Sequence, residues 1–346
     1  MTWMEKETRE APRSIEKQLK ENAPLLREFA KWLKKSPPLF AVTAARGSSG
    51  QAGLFLKYLL ETHGGIITTT AAPSVFTLYK AKLNWKNSLM IGISQSGESP
   101  DICEVLQKAR KGGAMTVAFV NQTQSPLAEL AHLVVPLWAG KERAVAATKT
   151  FLASLASLLQ FTAYFSEDPK LLSALTKLPE VLYTALEMDW SCAVPHLTKA
   201  TDIFVIGRGF GFPIAREAAL KLKETSNLHA EAYSGAEVMH GPFALVKKEF
   251  PLLFFMQKDA TLRSLLEVVK KANSCKAKTI LALPQDLVRS TQSLGKILLP
   301  LPKSLHPAYD PLIAIQAFYL LAEKLAKARG LNPDQPQHLK KVTRTV

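Results

Sequence analysis

Two stretches of the chain, LFAVTAARGSSGQAGLFLKYLLET in the first half and DIFVIGRGFGFPIAREAALKLKET in the second, repeat one another with a register slip of about one residue. Each reads as an apolar strand, an Arg-Gly turn and an amphipathic helix. The rest of the sequence keeps the alternation. LFAVTAA, GGIITTTAA, SLMIGIS, MTVAFVN and LVVPLWA read as strands between the helical runs GLFLKYLLETH, ICEVLQKARKG and TFLASLASLLQFTAYF. After a helical connector near residues 167–190 the pattern restarts with TDIFVIG, PLLFFMQ, AKTILAL and KILLPLP. These strands are nearly continuous apolar runs, as expected where both faces of a parallel sheet are covered. The expected fold is therefore α/β: two tandem domains, each a parallel sheet flanked by helices in a three-layer, flavodoxin-like αβα arrangement. The expected boundaries are an N-terminal segment 1–20, a first domain 21–170, a second domain 171–330 and a C-terminal tail 331–346.

In such folds ligands bind at the carboxyl ends of the strands, where the strand order reverses. Those ends carry Arg46 to Gly50, Ser94 to Ser99 and Gly207 to Gly211. The run SQSGES, Ser94 to Ser99, lies between an apolar strand and a helix that opens at Pro100. A helix N-terminus presents free N–H groups and the positive end of its dipole, and Gly97 lets an anion approach the backbone, so the loop reads as a phosphate cradle. A serine-rich turn that merely caps a helix is the other reading of the hexapeptide. RGFG does not complete a dinucleotide GxGxxG and no GxxxxGK[ST] occurs, which discounts NAD and nucleotide triphosphates.

With 346 residues, 47% hydrophobic, the chain is long enough for about two domains with substantial cores. Its net charge of +15 comes from scattered Lys and Arg, without a nucleic-acid-binding pattern, and is better suited to steering phosphorylated metabolites. Cys103, Cys192 and Cys275 form neither a CxxC nor an even set, so no disulfide framework or zinc site is expected. The charged N-terminus has no apolar leader region and no run of about 18 apolar residues occurs; the expectation is a cytoplasmic protein without membrane or nucleic-acid partners.

Chemistry-bearing residues cluster in two further places. REAALKLKE sets Lys221 and Glu224 one turn apart, and the following TSNLHAEAYSGAEVMHGP, expected to be rich in loops, adds His229, Glu231, Glu237 and His240. Carboxylates and histidines in one cleft can divide acid and base work, although surface ion pairs would give the same pattern. The tail LNPDQPQHLKKVTRTV is polar with two prolines and reads either as a floppy end or as a lid delivering an amine, with Lys340 and Lys341 as candidates.

Together these segments resemble the sugar isomerase (SIS) domain family, most closely the isomerase half of glucosamine-fructose-6-phosphate aminotransferase, over essentially the whole chain. SQSGES is similar to that family's phosphate loop, ERAVAATKTF to its VASTK segment, EAALKLKETSNLHAEAYSGAEVMHGP to its central core and NPDQPQHLKK to its tail. The resemblance implies that Ser49, Ser94, Gln95, Ser96 and Ser99 hold a sugar phosphate and that Val145 and its neighbours contact sugar hydroxyls. It also implies that Glu224 moves a proton between C1 and C2 with Lys221 beside it, that His240 opens the ring, and that Lys341 reaches the carbonyl carbon. In the family the histidine comes from the partner subunit, which implies a homodimer with shared sites. Ala147 stands where the family pattern has a serine, and no cysteine-nucleophile domain precedes this chain, so glutamine hydrolysis is not expected of it. The expected activity is that of a glucosamine-6-phosphate deaminase, giving fructose 6-phosphate and ammonia without metal or organic cofactor. Another amino-sugar-phosphate or fructosamine-phosphate deaminase or deglycase, and a non-catalytic sugar-phosphate sensor, are the alternatives.

Overall fold

A computed structural model describes residues 1–341; the last five residues of the expected 331–346 tail lie outside the described residues. Strands β1 (Phe40–Ala44), β2 (Thr68–Thr70), β3 (Ser88–Ser94), β4 (Met115–Val120) and β5 (Leu133–Pro136) pair in parallel in the order β2-β1-β3-β4-β5. Strands β6 (Asp202–Gly207), β7 (His229–Ser234), β8 (Pro251–Phe255), β9 (Lys278–Pro284) and β10 (Ile297–Leu301) form a second parallel sheet, β7-β6-β8-β9-β10. Counted from its own first strand, each sheet has the order 2-1-3-4-5. The duplication read in the sequence is thus a duplication of topology, and the chain is a tandem pair of α/β domains.

The helices are α1 (Trp3–Lys35), α2 (Gly47–Leu59), α3 (Pro73–Thr77), α4 (Pro100–Lys111), α5 (Pro126–Glu129), α6 (Lys149–Ser166), α7 (Pro169–Leu186), α8 (Val194–Leu197), α9 (Gly211–Ser226), α10 (Leu262–Ser274), α11 (Gln285–Thr291) and α12 (Asp310–Ala328). One compact unit, with the first sheet, comprises Arg13–Glu142, Lys149–Leu175 and the chain from Lys340 on. The other, with the second sheet, comprises Met1–Pro12, Arg143–Thr148 and Thr176–Leu339.

Alternation along each strand sends neighbouring side chains to opposite faces. On the first sheet Val42, Met90, Ala118 and Val120 pack with Val105, Leu106 and Ala109 of α4. The other face meets α2 and α6: a Cβ on Gly53 would lie 3.0 Å from Thr43 Oγ1, and the Phe119 and Phe161 rings are 6.4 Å apart. On the second sheet Phe204, Ile206, Leu252, Phe254 and Leu281 pack with Leu265, Val268 and Val269 of α10. Its opposite face meets α12, with the Phe255 and Phe318 rings 5.8 Å apart.

One element differs from the sequence expectation. HAEAYS, expected as loop, is the edge strand β7, where Ala230 is buried and the polar residues between the alanines stay at the rim. Small residues in a polar context carry little strand signal, and pairing along the whole of β6 supplies what propensity does not. The N-terminal segment is one end of the 33-residue helix α1, which runs through Pro12 and Pro24. Interior prolines cost a helix about 3 kcal/mol each, and burial of Met4, Ala11, Ile15, Leu26, Phe29 and Leu33 opposes that cost. No helix among the described residues is long and apolar enough to cross a membrane.

Asp310, the first residue of α12, is buried, and Ser304 Oγ donates to both its carboxylate oxygens at 2.9 and 2.7 Å. Burial, with a contribution from neighbouring Asp286, pushes its pKa up to about 7 against the Ser304 bonds. The folded state then keeps a proton that the unfolded chain releases near pH 3.8, so this group's contribution to stability declines as pH rises through that interval to about 7. Asp310→Asn is expected to gain stability relative to the parent between pH 5 and pH 8, read from urea unfolding midpoints. An unchanged difference between the two proteins would show that Asp310 does not titrate there.

Candidate active site

In the first-sheet unit, β3 ends at Ser94 and α4 begins at Pro100, so Ser94 to Ser99 turns from a strand end into a helix N-terminus. Gly97 adopts φ +68°, and a Cβ there would fall 2.1 Å from Ser125 Oγ, so both backbone conformation and space require glycine. Ser94 Oγ accepts from Gly97 N at 2.9 Å and Ser96 Oγ from Glu98 N at 3.3 Å, which fixes the loop while Gln95, Ser96 and Ser99 remain partly exposed. Ser99 is the N-cap residue of α4 but its side chain makes no capping bond, leaving its hydroxyl available to a ligand. Beside this loop, β1 leads into α2, whose first turn carries Ser49. The first backbone bond of that turn is Gly50 N to Arg46 O, so the preceding N–H groups project beyond the helix end. Arg46 is tied back by Asp101 at 2.7 Å rather than offered to an anion. The structure therefore brings Ser49, Ser94, Gln95, Ser96 and Ser99 to the switch point between β1 and β3.

At the corresponding turn of the second sheet, side chains bond to nearby backbone and to one another. Gln257 Nε2 donates to Arg208 O at 2.6 Å and to Thr261 Oγ1 at 3.1 Å, and Asp259 caps the turn through Thr261 N at 2.7 Å. Asp259, Asp286 and Asp310 lie after β8, β9 and β10, with Lys258 Nζ 3.0 Å from Asp286 Oδ2. A cavity of about 630 Å³ lies at the opposite, amino end of the second sheet, among exposed lysines and carboxylates of mixed sign such as Lys199, Lys247, Asp202 and Glu249.

The second-sheet unit holds the acid-base candidates on α9. Lys221 is 1% exposed, its ammonium bonded to the Glu224 carboxylate one turn on and 3.6 Å from Glu217 Oε1 one turn back. Glu217 is fully buried and accepts from Tyr319 Oη of α12 at 3.0 Å. Glu224 keeps 20% of its side chain exposed, so it is the one member of this row with access to a solute. Glu217 and Tyr319 were not legible as site residues: one is an ordinary i, i+4 neighbour in sequence and the other lies in an apolar helix. His240 is exposed, between two 3₁₀ turns and beside exposed Met239 and the left-handed Gly241. Val145 is half-buried, and its N–H donates to Asp334 O at 3.1 Å.

Lys341 belongs to the first-sheet unit and is half-buried, its Nζ 2.6 Å from Glu142 Oε2. Lys340 is exposed and makes no ion pair among the described residues.

Comparison with known proteins gives one consistent picture. A family model described as SIS domain matches residues 41–164 and 196–283. A glutamine-fructose-6-phosphate aminotransferase of Thermotoga maritima is 32% identical, aligned over 98% of this chain and 58% of its own length; the chain spans about half the length of such relatives. Among solved structures, a Silicibacter pomeroyi protein provisionally described as a phosphosugar isomerase superposes with a TM-score of 0.88 at 36% identity, covering 96% of this chain and 100% of that one. The C-terminal domain of glucosamine-fructose-6-phosphate aminotransferase from Francisella tularensis gives 0.89 at 26% identity, over 97% and 98% of the two chains. A glucosamine-6-phosphate deaminase of Thermotoga maritima shares the fold at TM-score 0.70 and 21% identity, over 96% and 100%.

Removing the cation from the α9 row leaves Glu217 buried beside an apolar partner. Lys221→Met is expected to lower unfolding free energy by about 3–5 kcal/mol, the usual cost of orphaning a buried charge. Adding Glu217→Gln should restore a good part of it in urea melts. A single variant as stable as the parent would mean that the row does not hold the fold together.

Proposed function

The chain belongs to the SIS domain family, and we propose that within it this protein deaminates glucosamine 6-phosphate to fructose 6-phosphate and ammonia. The observation that carries the proposal is the α9 row: a carboxylate with solvent access, Glu224, aligned by a buried ammonium that a second, fully buried carboxylate and Tyr319 in turn hold in place. A proton shuttle requires a base whose position is set by its surroundings and not by the substrate.

In this reaction the phosphate is gripped by Ser49, Ser94, Gln95, Ser96, Ser99 and the helix N-termini beside them. Uncharged donors suit this grip, and the positive net charge raises the local concentration of a dianionic substrate. His240 assists opening of the sugar ring, exposing an aldehyde at C1. Glu224 then takes the C2 proton and returns it to C1 while one proton of the amine ends on O1, so the C1 aldehyde becomes a hydroxymethyl group and the amine at C2 an imine. Water adds to the imine carbon and the adduct expels ammonia, leaving the ketone, so one substrate and one water give fructose 6-phosphate and ammonia. Lys221 keeps the Glu224 carboxylate oriented, Lys341 approaches the carbonyl carbon, and Val145 lies along the sugar hydroxyls. None of these groups attacks an amide, so ammonia rather than glutamine is the nitrogen species they handle. Exposed His240 beside exposed Met239 and Leu245 supports an arrangement in which the histidine serves a second copy of the chain.

An ammonia-release assay across phosphorylated amino sugars tests the substrate, with fructosamine and galactosamine phosphates included because Ala147 removes a hydroxyl from the sugar-contacting segment. Glu224→Gln should bind substrate yet lose about 100-fold or more in kcat, while Ser96→Ala should mainly raise KM. Parental kcat in Glu224→Gln would remove it from the mechanism. Mixing inactive His240→Ala with inactive Glu224→Gln under subunit exchange should regain activity through hybrid sites. No recovery despite verified exchange would assign each site to one chain.

A further inference from the structure

The tail lysine has a built receptor. Glu142 lies midway along the segment that joins β5 to α6, and its side chain is fully buried. Oε1 accepts from Thr150 N at 3.0 Å and Oε2 from Thr150 Oγ1 at 2.8 Å. Thr150 is the second residue of α6, so the carboxylate sits where a helix N-terminus favours negative charge and where an N–H lacks an intrahelical acceptor. Lys149 Nζ donates to Lys141 O at 3.0 Å and pins the same turn. The carboxylate is therefore immobilised on one side, and on the other it meets Lys341 Nζ at 2.6 Å. Holding a flexible four-carbon side chain costs rotamer entropy, and a rigid charged acceptor is what offsets it. All these contacts lie within the first-sheet unit.

We propose that Glu142 is the positioning residue for the C-terminal tail, docking Lys341 as an ammonium and so setting where that amine stands when substrate is bound. Its significance for turnover rests on the deaminase mechanism above; the docking itself does not. Lys340, one residue earlier and exposed, has no such partner among the described residues, which selects Lys341 from the pair.

The test is amine-directed acetylation of the full chain, with modification at Lys340 and Lys341 quantified by mass spectrometry. In the parent, Lys341 should react about tenfold or more slowly than Lys340, the scale of one hydrogen bond to a charged group. Glu142→Gln keeps one acceptor oxygen for Thr150 N and turns the other into an NH2 that can donate to Thr150 Oγ1, removing the charge and the acceptor that faces Lys341; since Lys341 is only half-buried it can turn to water, so the fold should survive and Lys341 protection should vanish. Equal reactivity of the two lysines in the parent, a comparison that needs no variant, overturns the proposal, as does undiminished protection in Glu142→Gln. In the ammonia assay the same variant should lose kcat with little change in KM, a split that a general loosening of the phosphate loop would not give. Lost protection with parental kcat would uphold the docking and refute a role for Lys341 in turnover.

Discussion

A parallel strand can be followed by another only after the chain has crossed back along a face of the sheet, so each strand's carboxyl end is met by the start of the crossover. In the order 2-1-3-4-5 the crossovers on either side of the first and third strands leave by opposite faces: α2 packs on the Thr43 face and α4 on the Val42 face. A crevice opens between them, lined by two helix N-termini. The position of the serine-rich loop Ser94 to Ser99 follows from that separation. Each sheet of the chain obeys the same constraint, but the residues at the turn differ. In the second, Gln257 and Asp259 occupy the corresponding turn and bond to their own backbone. Duplication supplied two such turns, and each carries a different set of side chains.

Charge is buried on both units in the same economical way, with a carboxylate fixed first and a lysine brought to it. Tyr319 fixes Glu217, which lies behind Lys221; Thr150 fixes Glu142, which holds Lys341. A buried ion pair with spare lone pairs left unmet gains little over an apolar replacement. Here Tyr319 bonds to Glu217 and Thr150 to both oxygens of Glu142, so the pairs position groups even where they add little stability. The exposed carboxylate of Glu224 then inherits its orientation from residues that a solute never touches.

Strand-turn-helix units were legible because they are local: apolar runs of β-branched and aromatic residues, a glycine turn and an amphipathic helix lie within one stretch of sequence. SQSGES was legible for the same reason, since strand end, glycine and helix start are consecutive. β7 was not, because HAEAYS has neither the apolar weight nor the β-branched residues of a strand and depends on β6 for its pairing. The full length of α1 was obscured by Pro12 and Pro24, whose local cost is opposed by burial that only the packed chain provides.

The sequence by itself determined the doubly repeated α/β plan, the strand-loop-helix geometry of Ser94 to Ser99 and the pairing of Lys221 with Glu224, because each depends on residues within one or two turns of each other. The tertiary structure alone decided that Tyr319 meets Glu217, 102 positions away, and that Glu142 meets Lys341, 199 positions away. Side chains so far apart in sequence have no periodicity in common, and only closure of the sheets and packing of the helices against them brings such groups within hydrogen-bonding distance.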